Sequence, residues 1–456
     1  MKIDNKEYDV SIHLSEHQIL LSHIHLNKNG VSMVIHIVEA NQTITSIAEQ
    51  YGVSEERILY DNQLTAGEPL VIGQALLILI PNTVHIVESG QDISAVAAQY
   101  GVPELQIFRN NPYLLEDETL QEGEALVINY QTEKLGSMYV DGYAYPYIDD
   151  KVLDESLLYL SYIGIFSYGF TEEGALIPVD DERLLESANG AGVKPMLVLT
   201  PFGSDGNFSN ILVNTLMENE EVQTTIIENL YNTVLDRGYS GVNVDFEYIL
   251  AEDKDRYVEF IRKLKERFRE DNLLVSVCLA PKTSVDQQGL LYEGIDYRAL
   301  GEVADYVFCM TYEWGYTYGP NMAVSPINKV REVLEFAVSQ IPSEKILMGM
   351  SNYGYDWPLP YERGKTKART IGNVEAIQIA RTNNAIIQFD EISQAPYFNY
   401  TVDGIEHEVW FEDARSINAR LRLVSEYNLK GVGFWQLMKL FRVNFLVLYN
   451  LFDIER

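Results

Sequence analysis

The chain has 456 residues, of which 46% are hydrophobic and 11% aromatic, enough for about two to four globular domains with ordinary cores. Its net charge is −33 and its pI about 4.5. A surface this acidic excludes nucleic acid and anionic membranes as electrostatic partners, because both need a basic face. An anionic wall polymer has to be held by short-range contacts instead.

The 30 tyrosines suit sugar binding, with a flat apolar face and a polar tip, but serve equally as core. Cys278 and Cys309 lie in the strand-like runs "VSVCLAPK" and "YVFCMTYEW" and read as buried thiols, not as a disulfide framework. No apolar run reaches the ~18–20 residues of a membrane span. The N-terminus lacks a basic start followed by a long apolar core, so synthesis in the cytoplasm without a signal peptide is expected.

Residues 1–33 are polar and irregular and hold His13, His17, His23 and His25 without any zinc-finger spacing. A poorly ordered extension is expected there. An internal repeat follows over 34–82 and 83–130. His36 matches His85, Tyr51-Gly52-Val53 matches Tyr100-Gly101-Val102, and Asn62 matches Asn111, all 49 residues apart. Each copy predicts a strand, a helix (Ile44, Ile47, Ala48 and Tyr51 in the first) closed by glycine, a second helix ending at the asparagine, and a final strand ("ALLILI", "EALVINY").

The two βααβ units resemble LysM modules, which bind peptidoglycan or chitin through N-acetylglucosamine. The resemblance implies a groove between Glu39–Thr43 and Asp61–Leu64 in the first copy, and between Glu88–Asp92 and Asn110–Pro112 in the second. Asn62 and Asn111 are candidate glycan contacts; as helix caps or turn residues they have an equally physical explanation. The first loops read "ANQT" and "SGQD" where Gly-Asp-Thr is usual.

After the polar stretch "QTEKLGS" (131–137), residues 138–456 alternate strands and helices. The strands are "GYAYPY", "YIGIFSYGF", "KPMLVLTPF", "GVNVDFEY", "LLVSVCLAP", "ADYVFCMTY", "KILMGMSNYG" and "KGVGFWQL". One helix shows Tyr257, Phe260, Ile261, Leu264 and Phe268 at spacings of three and four. The fold class expected is α/β, a (β/α)8 barrel with a small α+β insertion at about 355–410. An open doubly wound sheet is the alternative, but no Gly-rich phosphate loop follows the first strand.

"GVNVDFEY" sets Asn243, Asp245 and Glu247 on one face, since alternate strand residues point together. Two crowded carboxylates do not both ionise comfortably, and a proton retained near neutral pH is what a general acid needs. An isolated D-x-E is better explained by capping or by pairing with a basic partner.

The stretch also resembles the fourth-strand D-x-x-D-x-D-x-E signature of glycoside hydrolase family 18. "MTYE", "YGYDW" and Phe434-Trp435 stand where that family has its later strand ends. "LAPKTSVDQQGLLYEGIDY" and "HEVWFEDARS" look like the LysM-bearing spore-cortex N-acetylglucosaminidases of endospore-forming bacteria. The resemblance implies retaining, substrate-assisted hydrolysis, in which the sugar's 2-acetamido oxygen attacks C1. Glu247 would be acid and then base, Asp245 would orient the acetamido group, and Tyr312 would bond its oxygen. Asn243 would support Asp245 by hydrogen bonding. Trp435 would floor the site, unless it is plain core. Glu313, Tyr353, Asp356 and Trp357 complete the expected substrate contacts. Ser240 and Asn243 replace two acids of the chitinase pattern, Glu313 replaces an Asp, Ser351 stands where Pro is common, and the tail after Trp435 departs from the subgroup. No metal and no cofactor are implied. The expected partner is peptidoglycan or another N-acetylglucosamine-containing glycan, met by a monomer deposited in the spore. A chitinase, and a non-catalytic glycan-binding coat protein, are the alternatives.

Overall fold

In the computed structural model, which describes residues 32–130, 133–202 and 208–456, the repeat folds twice in one pattern. Strand β1 (Met33–Ile37) pairs antiparallel with β2 (Ala75–Leu79) around helices α1 (Ile44–Tyr51) and α2 (Glu55–Asp61). Strand β3 (Pro81–Ile86) pairs with β4 (Ala125–Tyr130) around α3 (Ile93–Tyr100) and α4 (Glu104–Asn110). Thr43 and Asp92 cap α1 and α3 by accepting from the third helical N–H. Gly52 and Gly101 end these helices at φ 66° and 65°, a left-handed backbone that favours glycine. The extension expected over 1–33, with its four histidines, lies outside the described residues except for Ser32 and Met33.

The barrel strands are β5 (Ser137–Ala144), β6 (Tyr162–Phe170), β7 (Lys194–Leu199), β8 (Gly241–Val244), β9 (Leu274–Leu279), β10 (Tyr306–Cys309) and β11 (Ile346–Ser351). The insertion supplies β12 (Gly354–Pro358), β13 (Arg369–Ile371), β14 (Gln388–Asp390), β15 (Ala395–Val402) and β16 (Ile405–Trp410) before β17 (Gly431–Trp435) completes the ring. β5 pairs in parallel with both β6 and β17, which closes an eight-stranded barrel. The sequence places the first strand at "GYAYPY"; it begins earlier, at Ser137, and stops before Pro146, which has no N–H for a ladder.

Parallel barrel strands are buried on both faces, so they are continuously apolar. The inside is filled largely by aromatic rings. Tyr162 stacks between Tyr139 (5.6 Å) and Tyr306 (5.2 Å) at the bottom, where Lys430 Nζ lies 3.8 Å from the Tyr139 ring centre. The outer helix at Lys254–Phe268 buries the five predicted apolar residues. The insertion is a five-stranded antiparallel sheet turned at Asp403-Gly404, both with positive φ.

The tail helix at Arg442–Leu451 docks the first module. Arg442 forms a bidentate pair with Glu155 (2.5 and 2.8 Å), lies 3.7 Å from the Tyr60 ring centre and donates its N–H to Gln63 Oε1 (2.8 Å). On the second module Arg109 Nε donates to the Leu158 carbonyl (2.7 Å).

Candidate active site

β8 ends at Val244, but the Asp245 N–H still donates to Leu199 O (2.9 Å), so alternation carries one residue past the strand. Phe246 turns outward among Phe170, Tyr257 and Phe260, while Asp245 stays on the inner side, 6% exposed. Tyr248, at φ 59°, then turns the chain.

Asp245 and Glu247 both line a cleft of about 550 Å³ at the barrel mouth, with Tyr312, Glu313 and Trp435. Burial pushes the Glu247 carboxyl up to about 8, and the charges of Asp245 and Glu313 push the same way. Burial likewise raises Asp245 to about 6, partly offset by the neighbouring Cys278 thiol. Among the described residues Asp245 Oδ1 is buried with no hydrogen-bond donor. A buried carboxylate oxygen without a donor is costly, and a ligand N–H entering the cleft would relieve it.

Asn243 lies beneath Asp245, 1% exposed, but its hydrogen bonds go elsewhere. Nδ2 donates to Ser276 Oγ (2.8 Å), while Oδ1 accepts from Tyr143 OH (3.2 Å) and Cys278 Sγ (3.3 Å). The direct Asn243–Asp245 bond expected from sequence is replaced by this neutral cluster, in which Cys278 touches both sides. Tyr143 and Cys278 lie on β5 and β9, far from Asn243 in sequence, and neither carries a local signal of its place here.

Tyr312 is 9% exposed, just past β10. Its ring crosses Gly349, where a Cβ would sit 2.8 Å from Tyr312 Cε1 and 2.7 Å from Cys309 O, so only glycine admits it. Glu313, at φ 67°, accepts on Oε1 from Tyr353 OH (2.8 Å) and Tyr355 OH (2.9 Å). Tyr353 therefore fixes Glu313 from behind. Trp435 meets Phe166 (4.9 Å), Tyr143 (5.8 Å) and Tyr145 (6.3 Å) edge-on. Its carbonyl accepts from the Asn352 N–H (3.1 Å), and Asn352 Nδ2 donates to Gln436 O (3.0 Å) and Lys439 O (2.8 Å), so the divergent tail is tied into a defined rim. Tyr248, Tyr292, Trp314 and Tyr316 also line the cleft, and sequence reasoning did not single them out as lining residues.

Four expected contacts lie elsewhere. Asp356 is buried in the insertion, accepting from Tyr400 OH (2.8 Å) and joined to His407 Nδ1 (2.8 Å). Trp357 is fully buried and donates from Nε1 to Gly319 O (3.0 Å). Asn62 and Asn111 point into their modules. Each donates twice from Nδ2, Asn62 to Ile58 O (2.9 Å) and Leu77 O (2.8 Å), Asn111 to Ile107 O (2.9 Å) and Val127 O (2.8 Å). Their Oδ1 atoms accept from Leu77 N (2.7 Å) and Val127 N (2.9 Å). Asp61, Asn110 and Pro112 are buried as well, so Glu39–Thr43 and Glu88–Asp92 are the more exposed of the expected groove loops. These loops are braced alike: Gln42 Oε1 meets His36 Nε2 (2.9 Å) and Gln91 Oε1 meets His85 Nε2 (2.7 Å).

Comparison with known proteins agrees with this architecture. The model of Glycosyl hydrolases family 18 matches residues 158–439, and the LysM domain model matches residues 36–79. The chain is 37% identical over 429 residues to a cortical fragment-lytic enzyme of Bacillus anthracis, covering 92% of this chain and 98% of that one. It is 41% identical over 303 residues to a cortical fragment-lytic enzyme of Bacillus subtilis (strain 168), covering 66% of this chain and 70% of that one. The crystal structure of the Bacillus cereus spore cortex-lytic enzyme SleL superimposes with a TM-score of 0.79 at 34% identity, covering 93% of this chain and 99% of that one. A closed eight-stranded barrel with two carboxyls at its mouth, behind a LysM module, makes this chain a glycoside hydrolase belonging to glycosyl hydrolases family 18.

Proposed function

We propose that the chain is a peptidoglycan-directed N-acetylglucosaminidase, cleaving β-1,4 bonds after N-acetylglucosamine in spore-cortex glycan or its fragments. The observation that carries this is the pair at the cleft: Glu247 holds its proton near neutral pH, beside an Asp245 oxygen that lacks a donor. In a retaining, substrate-assisted route the sugar's 2-acetamido N–H donates to Asp245, which aims the acetamido oxygen at C1. Glu247 protonates the leaving oxygen. The C1–O bond breaks as the C1–O(acetamido) bond forms, giving an oxazolinium whose charge Asp245 offsets. Glu247, now a carboxylate, takes a proton from the incoming water and so recovers its own, while the oxazolinium opens with net retention. Tyr312 OH donates to the acetamido oxygen, and Trp435 carries the sugar face.

The cortex assignment is supported by the names of the two aligned relatives and of the superimposed structure. The paired modules, through Glu39–Thr43 and Glu88–Asp92, raise the local glycan concentration at the cleft. The test is digestion of purified cortex fragments and of chitin oligomers, followed by mass spectrometry of the products. Fragments ending in N-acetylglucosamine are expected from cortex. Cleavage of chitin alone would leave a chitinase; cleavage of neither would leave a glycan-binding protein.

A further inference from the structure

In a chain of net charge −33, residues 361–369, "YERGKTKAR", carry Arg363, Lys365, Lys367 and Arg369 against a single acid, Glu362. This segment joins β12 to β13, and all four cations are exposed. Lys365 pairs with Glu362 (2.6 Å), and Arg369 with Glu375 (2.6 Å). Among the described residues no carboxylate pairs with Arg363 or Lys367.

The strap is fastened to the cleft rim. Its Ala368 N–H donates to Thr317 O (2.7 Å), Tyr361 OH donates to Tyr318 O (3.1 Å), and the buried Trp357 holds Gly319 O. Tyr316, one residue before Thr317, lines the catalytic cleft. Tyr318 is 56% exposed, with Lys367 Nζ 5.9 Å from its ring centre. Two cations without a carboxylate partner among the described residues and an open aromatic face thus belong to a segment fastened to the chain just after the cleft-lining Tyr316.

We propose that this strap is a subsite for a carboxylate borne by the glycan, with Arg363 and Lys367 as its ligands and Tyr318 as the surface beneath. The proposal rests on the peptidoglycan reading above and names the substituent that it recognises. A lactyl ether on a muramic sugar and a peptide stem both carry such a group. At long range the protein repels either, so a short-range cationic contact at the mouth is where an anionic glycan gains binding.

The experiment compares Arg363→Gln/Lys367→Gln with the parent in a Glu247→Gln background, where no turnover intervenes. Calorimetry measures binding of peptide-free muramic fragments, of peptide-bearing fragments and of neutral N-acetylglucosamine oligomers. The expected result is a Kd raised about threefold to tenfold for carboxylate-bearing fragments and unchanged for neutral ones, with the difference shrinking as salt rises. Weakening already present with peptide-free fragments identifies the lactyl group; weakening confined to peptide-bearing ones identifies the stem. Equal Kd values, or equal losses on neutral oligomers, overturn the strap. Digestion by the native enzyme is read separately: if carboxylate-bearing fragments bind but are never cut, the peptidoglycan hydrolase reading fails while the subsite stands.

Discussion

The raised pKa of Glu247 makes the site a source of instability that one substitution should relieve. In the unfolded chain a glutamate loses its proton near 4.5, whereas folded Glu247 keeps it to about 8. The folded state therefore binds the extra proton between these values, and stability falls as pH rises through that window. At about 1.4 kcal/mol per pH unit, the penalty reaches on the order of 3 kcal/mol by pH 7. It levels off above pH 8, once both states have lost the proton. Glu247→Gln keeps the shape and removes that residue's titration, so its share of the dependence vanishes and only the part from Asp245, raised by burial to about 6, is left. Thermal unfolding of both proteins across pH 4.5 to 8 is the assay. The variant is expected to match the native protein near pH 4.5 and to melt several degrees higher at pH 7 to 8. Asp245 titrates together with Glu247, so the pair shares the effect. Parallel melting curves across the range, or a variant less stable at pH 7, would show that Glu247 does not carry the extra proton of the folded state.

Tyr312→Phe deletes the hydroxyl assigned to the acetamido oxygen and keeps the ring that packs on Gly349; kcat should fall about tenfold to a hundredfold with KM little changed. Unchanged kcat would remove Tyr312 from the chemistry. Asn111→Ala strips a buried backbone N–H and two carbonyls of their partners, at a cost of about 2–4 kcal/mol, and hydrogen exchange of the β4 amides should accelerate. Weaker glycan binding with unchanged exchange would instead make Asn111 a sugar ligand. Arg442→Met leaves Glu155 buried without its partner, costing about 3–5 kcal/mol, and should expose α2 to exchange where the first module meets the barrel. Unaltered α2 protection would show that the Arg442 side chain, which reaches Tyr60 of the module, does not hold it.

Much of this was legible because the patterns are local. Parallel strands buried on both faces read as apolar runs, and the helix at Lys254–Phe268 announces itself by its period. The duplicated module shows in matched residues such as His36 and His85. Direction was harder. The 49-residue offset pairs Asn62 with Asn111 but does not say that both amides turn inward to stitch helix to strand. Asp356 and Trp357 lie on β12, an inner strand of the insertion's sheet, and their facing depends on the register β12 adopts against β13 and β16. The cluster under Asp245 draws Tyr143, Asn243 and Cys278 from three strands, a juxtaposition that only barrel closure creates.

In the proposed mechanism, Glu247 and the substrate's own acetamido group together cleave the glycan with retention. Proton NMR of the reducing end first released by the native enzyme, beside Glu247→Gln, tests it most directly. The β-anomer should appear first, equilibrating later with the α, and turnover should be reduced by orders of magnitude in the variant. The α-anomer first, or undiminished release by Glu247→Gln, would contradict it.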